Sequence, residues 1–279
     1  LAAADHLISH GHRDEAGQAQ LVDGHRGHRH GQAGGGRGLP RGIGPGARLE
    51  HLAEDHGVHL LDPVAYLAIH RELTADRLEE ACWFGSDGTS HRKLLLDAVS
   101  ECRAALGRTH FPSNRHGTYR VDAAIRTDVE LFEWHVAQVQ RQEPPDAIES
   151  YRSALDLVTG RPFSYTNTGR ASFGWVDFEH QATTWEGRIA GVAKAFTELC
   201  LDNDQPDVAI ATLRRLLQAA PLNGGVVAAL MRVHIATGDR SAADHLYQEH
   251  AAALDQADLG DPDDDVVQLR LDLGGGGPP

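Results

Sequence analysis

From Leu60 onward the apolar residues recur at helical spacing, whereas before it they follow neither a 3.6-residue nor a 2-residue period. Residues 61–70 predict an apolar-faced helix with Asp62 as its N-cap and Pro63 at the first helical position, where a missing N–H costs nothing. Thr74 caps a second predicted helix running to Trp83, and Phe84–Gly88 reads as a turn. Thr89 or Ser90 then caps a third helix, whose stripe is Leu95, Ala98, Val99, Cys102 and Leu106 and which Gly107 stops. Two short extended pieces, 109–113 and 117–121, predict a β-hairpin.

Beyond Thr127 the pattern is helical throughout. Pro145 opens a helix with the stripe Ile148, Tyr151, Leu155 and Val158. Trp175, Phe178 and Trp185 open another that continues through Ile189, Val192, Ala195, Phe196 and Leu199, aromatics that the spacing assigns to a core. Segments 206–219 and 240–254 match at an offset of 34 residues, which sets Val208 on Ala242, Ala209 on Ala243 and Leu213 on Tyr247. This small-small-large spacing resembles that of tetratricopeptide hairpins, which are binding scaffolds and not catalysts. Pro206, Pro221, Gly238 and Gly260-Asp261-Pro262 punctuate these helices, and residues 274–279 read as a flexible tail.

The first 57 residues stand apart. His6, His10, His12, His25, His28, His30, His51 and His56 lie among Gly, Arg and Gln. Such a stretch buries too little surface to offset its ordering entropy. Disorder, a metal-binding role for the histidines, or a segment outside the native reading frame are the readings left open. Across the 279 residues the formal net charge is −14 and the pI near 5.6, so contact with nucleic acid requires a local basic face. Cys82, Cys102 and Cys200 are odd in number and set in apolar stretches, which reads as reduced, buried thiols of a cytoplasmic protein. No apolar run is long enough to span a bilayer, so no membrane contact is expected. Phosphate-binding, nucleophile-elbow and zinc-protease motifs are absent, and "HLAEDH" at 51–56 has no second half, so neither an enzyme nor a cofactor is expected.

Three helices followed by a hairpin, with "ALG" after the third helix and "GTYRV" in the hairpin, resemble a winged helix-turn-helix of the response-regulator type. Asp128-Val129-Glu130-Leu131-Phe132-Glu133 is similar to the junction after the wing in the SARP family of bacterial transcriptional activators. The run 147–155, the Gly160-Arg161-Pro162-Phe163 loop, Trp175 with its helix, and "HAAALDQADLGDPDDDVVQLRLDL" are similar to that family's activator domain. The resemblance covers about residues 60–273. It implies a mainly α fold: a winged helix-turn-helix remnant over 58–126, then a tetratricopeptide-like all-helical repeat domain over 127–273.

It also implies a transcriptional regulator that binds promoter DNA through the winged helix. The helical repeats would contact RNA polymerase, another protein or a second protomer. His91, Arg92, Lys93, Arg103, Arg108, Arg115 and Arg120 are the candidate DNA contacts. Arg214, Arg215, Arg232, Glu249 and Asp255 are the candidate protein contacts on the repeats. Ser100 and Glu101 stand where two arginines are usual in response-regulator reading helices, and Leu94 and Leu96 present apolar surface. The alternative reading is therefore a protein-interaction module, the C-terminal part of a larger regulator, whose winged helix no longer reads bases.

Overall fold

The computed structural model describes residues 61–83, 91–111, 116–123, 125–164 and 173–275. The expectations for residues 1–57, for the turn at 84–88, for the caps Thr89 and Ser90 and for Arg115 lie outside these residues.

The N-terminal part holds three helices, α1 (Leu61–His70), α2 (Ala75–Cys82) and α3 (Arg92–Leu106), with two short strands, β1 (Glu72–Thr74) and β2 (Thr118–Arg120). Of the expected hairpin between 109–113 and 117–121, residues 112–115 lie outside those described, and residues 109–111 are not extended, although the Asp122 N–H donates to the His110 carbonyl at 2.9 Å. Strand β2 pairs antiparallel with β1, Leu73 opposite Tyr119. Residues 108–110 are a turn, closed by the Phe111 N–H donating to the Gly107 carbonyl at 3.0 Å, and the Phe111 side chain is buried. Arg71, at φ 66°, turns the chain out of α1 into β1. Thr74 ends β1 and caps α2 by accepting the Arg77 N–H, as its sequence position predicts. His91 occupies the N-cap position of α3 without a side-chain cap bond, and Gly107 ends that helix at φ 88°. Of the predicted stripe Leu95, Ala98, Val99 and Cys102 are buried, and the Leu106 side chain lies outside those described.

The remaining helices are α4 (Asp128–Val139), α5 (Pro144–Asp156), α6 (Gly174–Phe178), α7 (Gln181–Asp202), α8 (Pro206–Ala219), α9 (Gly224–Ala236), α10 (Arg240–Gln256) and α11 (Asp264–Gly275). Thr127 and Glu130 form a full capping box at the start of α4. Helix α5 starts one position before Pro145, with Glu143 as N-cap. Trp175, Phe178 and Trp185 do not share one helix, because His180 at φ 53° separates α6 from α7. Trp175 is buried, Phe178 is 62% exposed, and Trp185 is half-buried with its ring edge-on to Phe132. Helices α8 and α10 coincide under the 34-residue offset, with Ala209 and Ala243 both fully buried. Gly274, expected in a flexible tail, lies within α11.

Three cores result. The first joins α1, α2, α3 and both strands to Phe163, Phe173, Trp175 and Val176. A second runs through α4, α5, α7, α8 and α9, with Phe196 and Leu230 at its centre. The third lies between α9, α10 and α11 around Met231, Ala243 and Val266. Helix α9 is buried along nearly its whole length, from Val226 to Met231, because α7, α8, α10 and α11 all pack on it.

Asp62 has a different role from the one its sequence position suggests. It lies inside α1, 3% exposed, and caps nothing there. Its carboxylate accepts the Phe173 N–H at 2.8 Å and the Trp175 indole N–H at 2.7 Å. A local cap became a contact across more than a hundred residues, because α6 arrives over the helix start and supplies two N–H donors that would otherwise be buried without partners.

Candidate nucleic-acid and partner surfaces

Helix α3 packs one side into the first core, and its opposite side presents Lys93, Asp97, Ser100 and Ala104. Leu94 and Leu96 flank that side at 51% and 52% exposure, as the sequence suggests. One cation and one carboxylate, followed by two small residues, leave few long polar side chains of the kind that bond base edges.

The candidate phosphate contacts divide between exposed and engaged groups. Lys93 and Arg108 are exposed, at opposite ends of α3. The Arg92 guanidinium meets the Asp76 carboxylate at 2.8 Å and that of Glu79 at 3.7 Å. Arg103 turns back beneath the helix end, where its Nε donates to the Phe111 carbonyl at 3.0 Å and its guanidinium sits 6.0 Å from that ring's centre. Arg120 pairs with Glu72 across the two strands at 2.8 Å. The His91 ring stacks on Trp83, with 5.5 Å between centres and 2° between planes, and its backbone N–H donates to Glu79.

On the repeats, Arg215 of α8 pairs with Asp156 of α5, and Arg232 of α9 with Asp265 of α11 at 3.1 Å. Both tie neighbouring helices together. Glu249 pairs with His245 one turn earlier on α10, while Arg214 and Asp255 are exposed. An apolar cleft opens between α4, the 157–163 loop and α7, lined by Phe132, Val158, Phe163, Trp185 and Ile189.

The three cysteines are free and buried, as their apolar setting predicts. Burial pushes the Cys102 thiol up to about 12 and that of Cys200 to about 11. Cys82 is raised further by burial together with the nearby charge of Asp62. These thiols are not nucleophiles near neutrality. Among the described residues no group of His, Cys, Asp and Glu is arranged to hold a metal ion, and no helix is long and apolar enough to cross a membrane.

Sequence reasoning missed two residues that organise the junction between the two parts. Asp62 is one. Arg71 is the other: its guanidinium donates to the carbonyls of Ile125 at 2.8 Å and Asp122 at 3.1 Å, and it pairs with Glu130 at 3.4 Å. No periodicity marks either, since their partners lie more than fifty residues away.

Among solved structures, Mycobacterium tuberculosis EmbR in complex with a low affinity phosphopeptide is similar, with a TM-score of 0.54 at 18% identity over 78% of this chain. This chain spans 59% of the length of that one, and the likeness is one of fold. No curated protein matches the sequence. The profile of the bacterial transcriptional activator domain matches residues 127–273, more than half of the chain. By that match the chain belongs to the bacterial transcriptional activator domain family, whose members carry a regulatory interaction module and not a catalytic one.

Proposed function

We propose that this protein is a SARP-type regulator of transcription that acts mainly through protein contacts of its helical repeats, its three-helix unit being a winged helix-turn-helix remnant that no longer reads bases. The observation that carries this reading is the outward side of α3, where Lys93, Asp97, Ser100 and Ala104 offer one cation against one carboxylate. The expected partner of the repeats is RNA polymerase or a second protomer, with Arg214 and Asp255 as exposed contacts; Arg215, Arg232 and Glu249 would first have to leave the ion pairs they make.

A second reading has its own support. Lys93 and Arg108 are exposed at the two ends of α3, and the ion pairs of Arg92 with Asp76 and of Arg120 with Glu72 are exposed, of the kind that is weak and exchanges readily for phosphate. With His91, Arg103 and Arg115 these cations would dock the unit on promoter DNA.

Fluorescence anisotropy of the full chain with GC-rich promoter fragments over a salt series separates the two. The first reading expects at most weak, sequence-indifferent binding that disappears near physiological salt. Sequence-selective binding that survives there would overturn it, and loss of such binding in Arg103→Ala and Arg120→Ala would establish the second.

A further inference from the structure

At the cleft between α4, the 157–163 loop and α7 the two halves of the molecule meet without filling the space between them. Of its walls, Phe163 belongs to the core of the three-helix unit and Phe132 and Ile189 to that of the repeats, while Trp185 packs against both. Two ion pairs tie the walls together. Arg161 of the loop meets Glu186 of α7 at 2.6 Å, and Arg188 of α7 meets Glu133 of α4 through two bonds of 2.7 Å. The cleft is thus set by three elements locked to one another.

Its lining is hydrophobic apart from Asp128, whose carboxylate already accepts the Val129 N–H at 2.9 Å. Water there has few partners, so an apolar group that replaces it gains nearly its full transfer energy. Size decides which group. The space is about 50 Å³, far below the roughly 150 Å³ of an apolar cavity that takes up benzene, so it admits a branched aliphatic group and not an aromatic ring. Burying such a group gains about fourfold in affinity for each carbon, about a hundredfold in all. That falls short of what a free small molecule needs to offset its lost freedom of motion. It suits the anchor residue of a segment that makes its other contacts around the rim.

Charge narrows the partner. Arg161, Glu186, Arg188 and Glu133, each beside a lining residue in the sequence, are already joined in pairs, so the cleft asks for no counter-ion. Residues 127–279 carry twenty-four Asp or Glu against eleven Lys or Arg, so two copies of the repeats repel each other, and nucleic acid is repelled as well. A neutral or basic segment of a different protein meets no such penalty.

We propose that this cleft is the anchor pocket of the activator domain, in which a partner protein seats one leucine-type side chain carried on a neutral or basic segment. Because the walls come from both cores, a partner held there touches the three-helix unit and the repeats at once. The proposal rests on the reading that the repeats act through protein contacts, and it names where they do so.

Methyl NMR of the full chain, following Val129, Val158 and Ile189 during titration with N-acetyl-leucinamide, tests the pocket by itself. N-acetyl-alaninamide and N-acetyl-tryptophanamide are the controls, the first too short and the second too large. The leucine probe should shift these methyls saturably and bind at least about tenfold more tightly than the alanine probe, and the tryptophan probe should leave them unmoved. Val158→Trp, which fills the cleft from the loop, should abolish the shifts of Val129 and Ile189. Val129→Trp fills the same space from α4 and serves if the first variant does not fold. Equal shifts with all three probes, or none with leucine, would overturn the pocket.

Sedimentation of the full chain with RNA polymerase separates the pocket from the reading on which it rests. Where the unaltered protein binds polymerase, folded Val158→Trp should bind about a hundredfold less tightly, and equal affinity would overturn the docking role. Where the unaltered protein takes the leucine probe but not polymerase, polymerase is excluded as the partner while the pocket stands. A dimer of the unaltered protein that Val158→Trp dissolves would give the cleft to a second copy and overturn the choice of a different protein.

Discussion

Gly107 closes α3 at φ 88° and ψ 153°, a region that only glycine occupies freely, with open space where a Cβ would stand. The cost of Gly107→Ala is therefore one of backbone and not of packing, about 1–3 kcal/mol. Urea denaturation should show a lower midpoint with an unchanged slope. Thr127 offers the converse case, where a side chain does what the backbone cannot. Its hydroxyl accepts the Glu130 N–H at 3.1 Å, and the Glu130 carboxylate accepts the Thr127 N–H at 3.0 Å. Removing the hydroxyl in Thr127→Ala should cost about 0.5–2 kcal/mol, while Thr127→Ser, which keeps the acceptor, should cost far less in the same measurement.

Between elements, α9 and α7 come close at the start of α9, where Asn223 caps the helix and also donates to the Glu186 carbonyl of α7 at 3.1 Å. A Cβ on Gly225 would stand 2.3 Å from that of Ala190 on α7, so the α9 backbone lies directly against the Ala190 methyl. Gly225→Ala should force them apart and cost about 1–3 kcal/mol. Gly187 and Gly191 lie within α7 with nothing near a new Cβ, and alanine at either should stabilise by about 0.5–1 kcal/mol. Thermal unfolding should move down for the first substitution and up for the other two. The helices of this part were legible because Ile148, Leu155, Ile189, Val192 and Phe196 repeat at helical spacing and each is buried. Strand β1 was not, since three residues cannot display an alternation. Nor was the break at His180, where a residue without turn preference is held left-handed by the packing on either side of it. The Asp62 contact was hidden for another reason: Asp before Pro at a helix start satisfies the local rule for a cap, and only tertiary structure brings α6 over it.

The whole molecule divides its charge unevenly. Residues 61–126 carry nine Asp or Glu and nine Lys or Arg, whereas residues 127–279 carry twenty-four and eleven. The acidic activator domain thus repels phosphate while the three-helix unit, being neutral, does little to attract it. Binding energy to DNA scales with the number of phosphates neutralised, and each adds about −0.9 to the slope of log affinity against log salt. With Lys93 and Arg108 the exposed cations at the ends of α3, any binding by the unaltered protein should show a shallow slope of about −2. The missing charge can be supplied where the helix already faces outward. Asp97 and Ser100 are exposed on the side of α3 away from the core, so Asp97→Lys with Ser100→Arg adds two cations without disturbing packing. If that side faces DNA, the double substitution should tighten binding and steepen the slope by about 2 units, from the same anisotropy titration of the full chain. An unchanged slope in a folded protein would mean that α3 does not lie along the nucleic acid. The three-helix unit would then be a platform joined to the repeats through the Asp62 contacts with Phe173 and Trp175, with recognition left to protein partners.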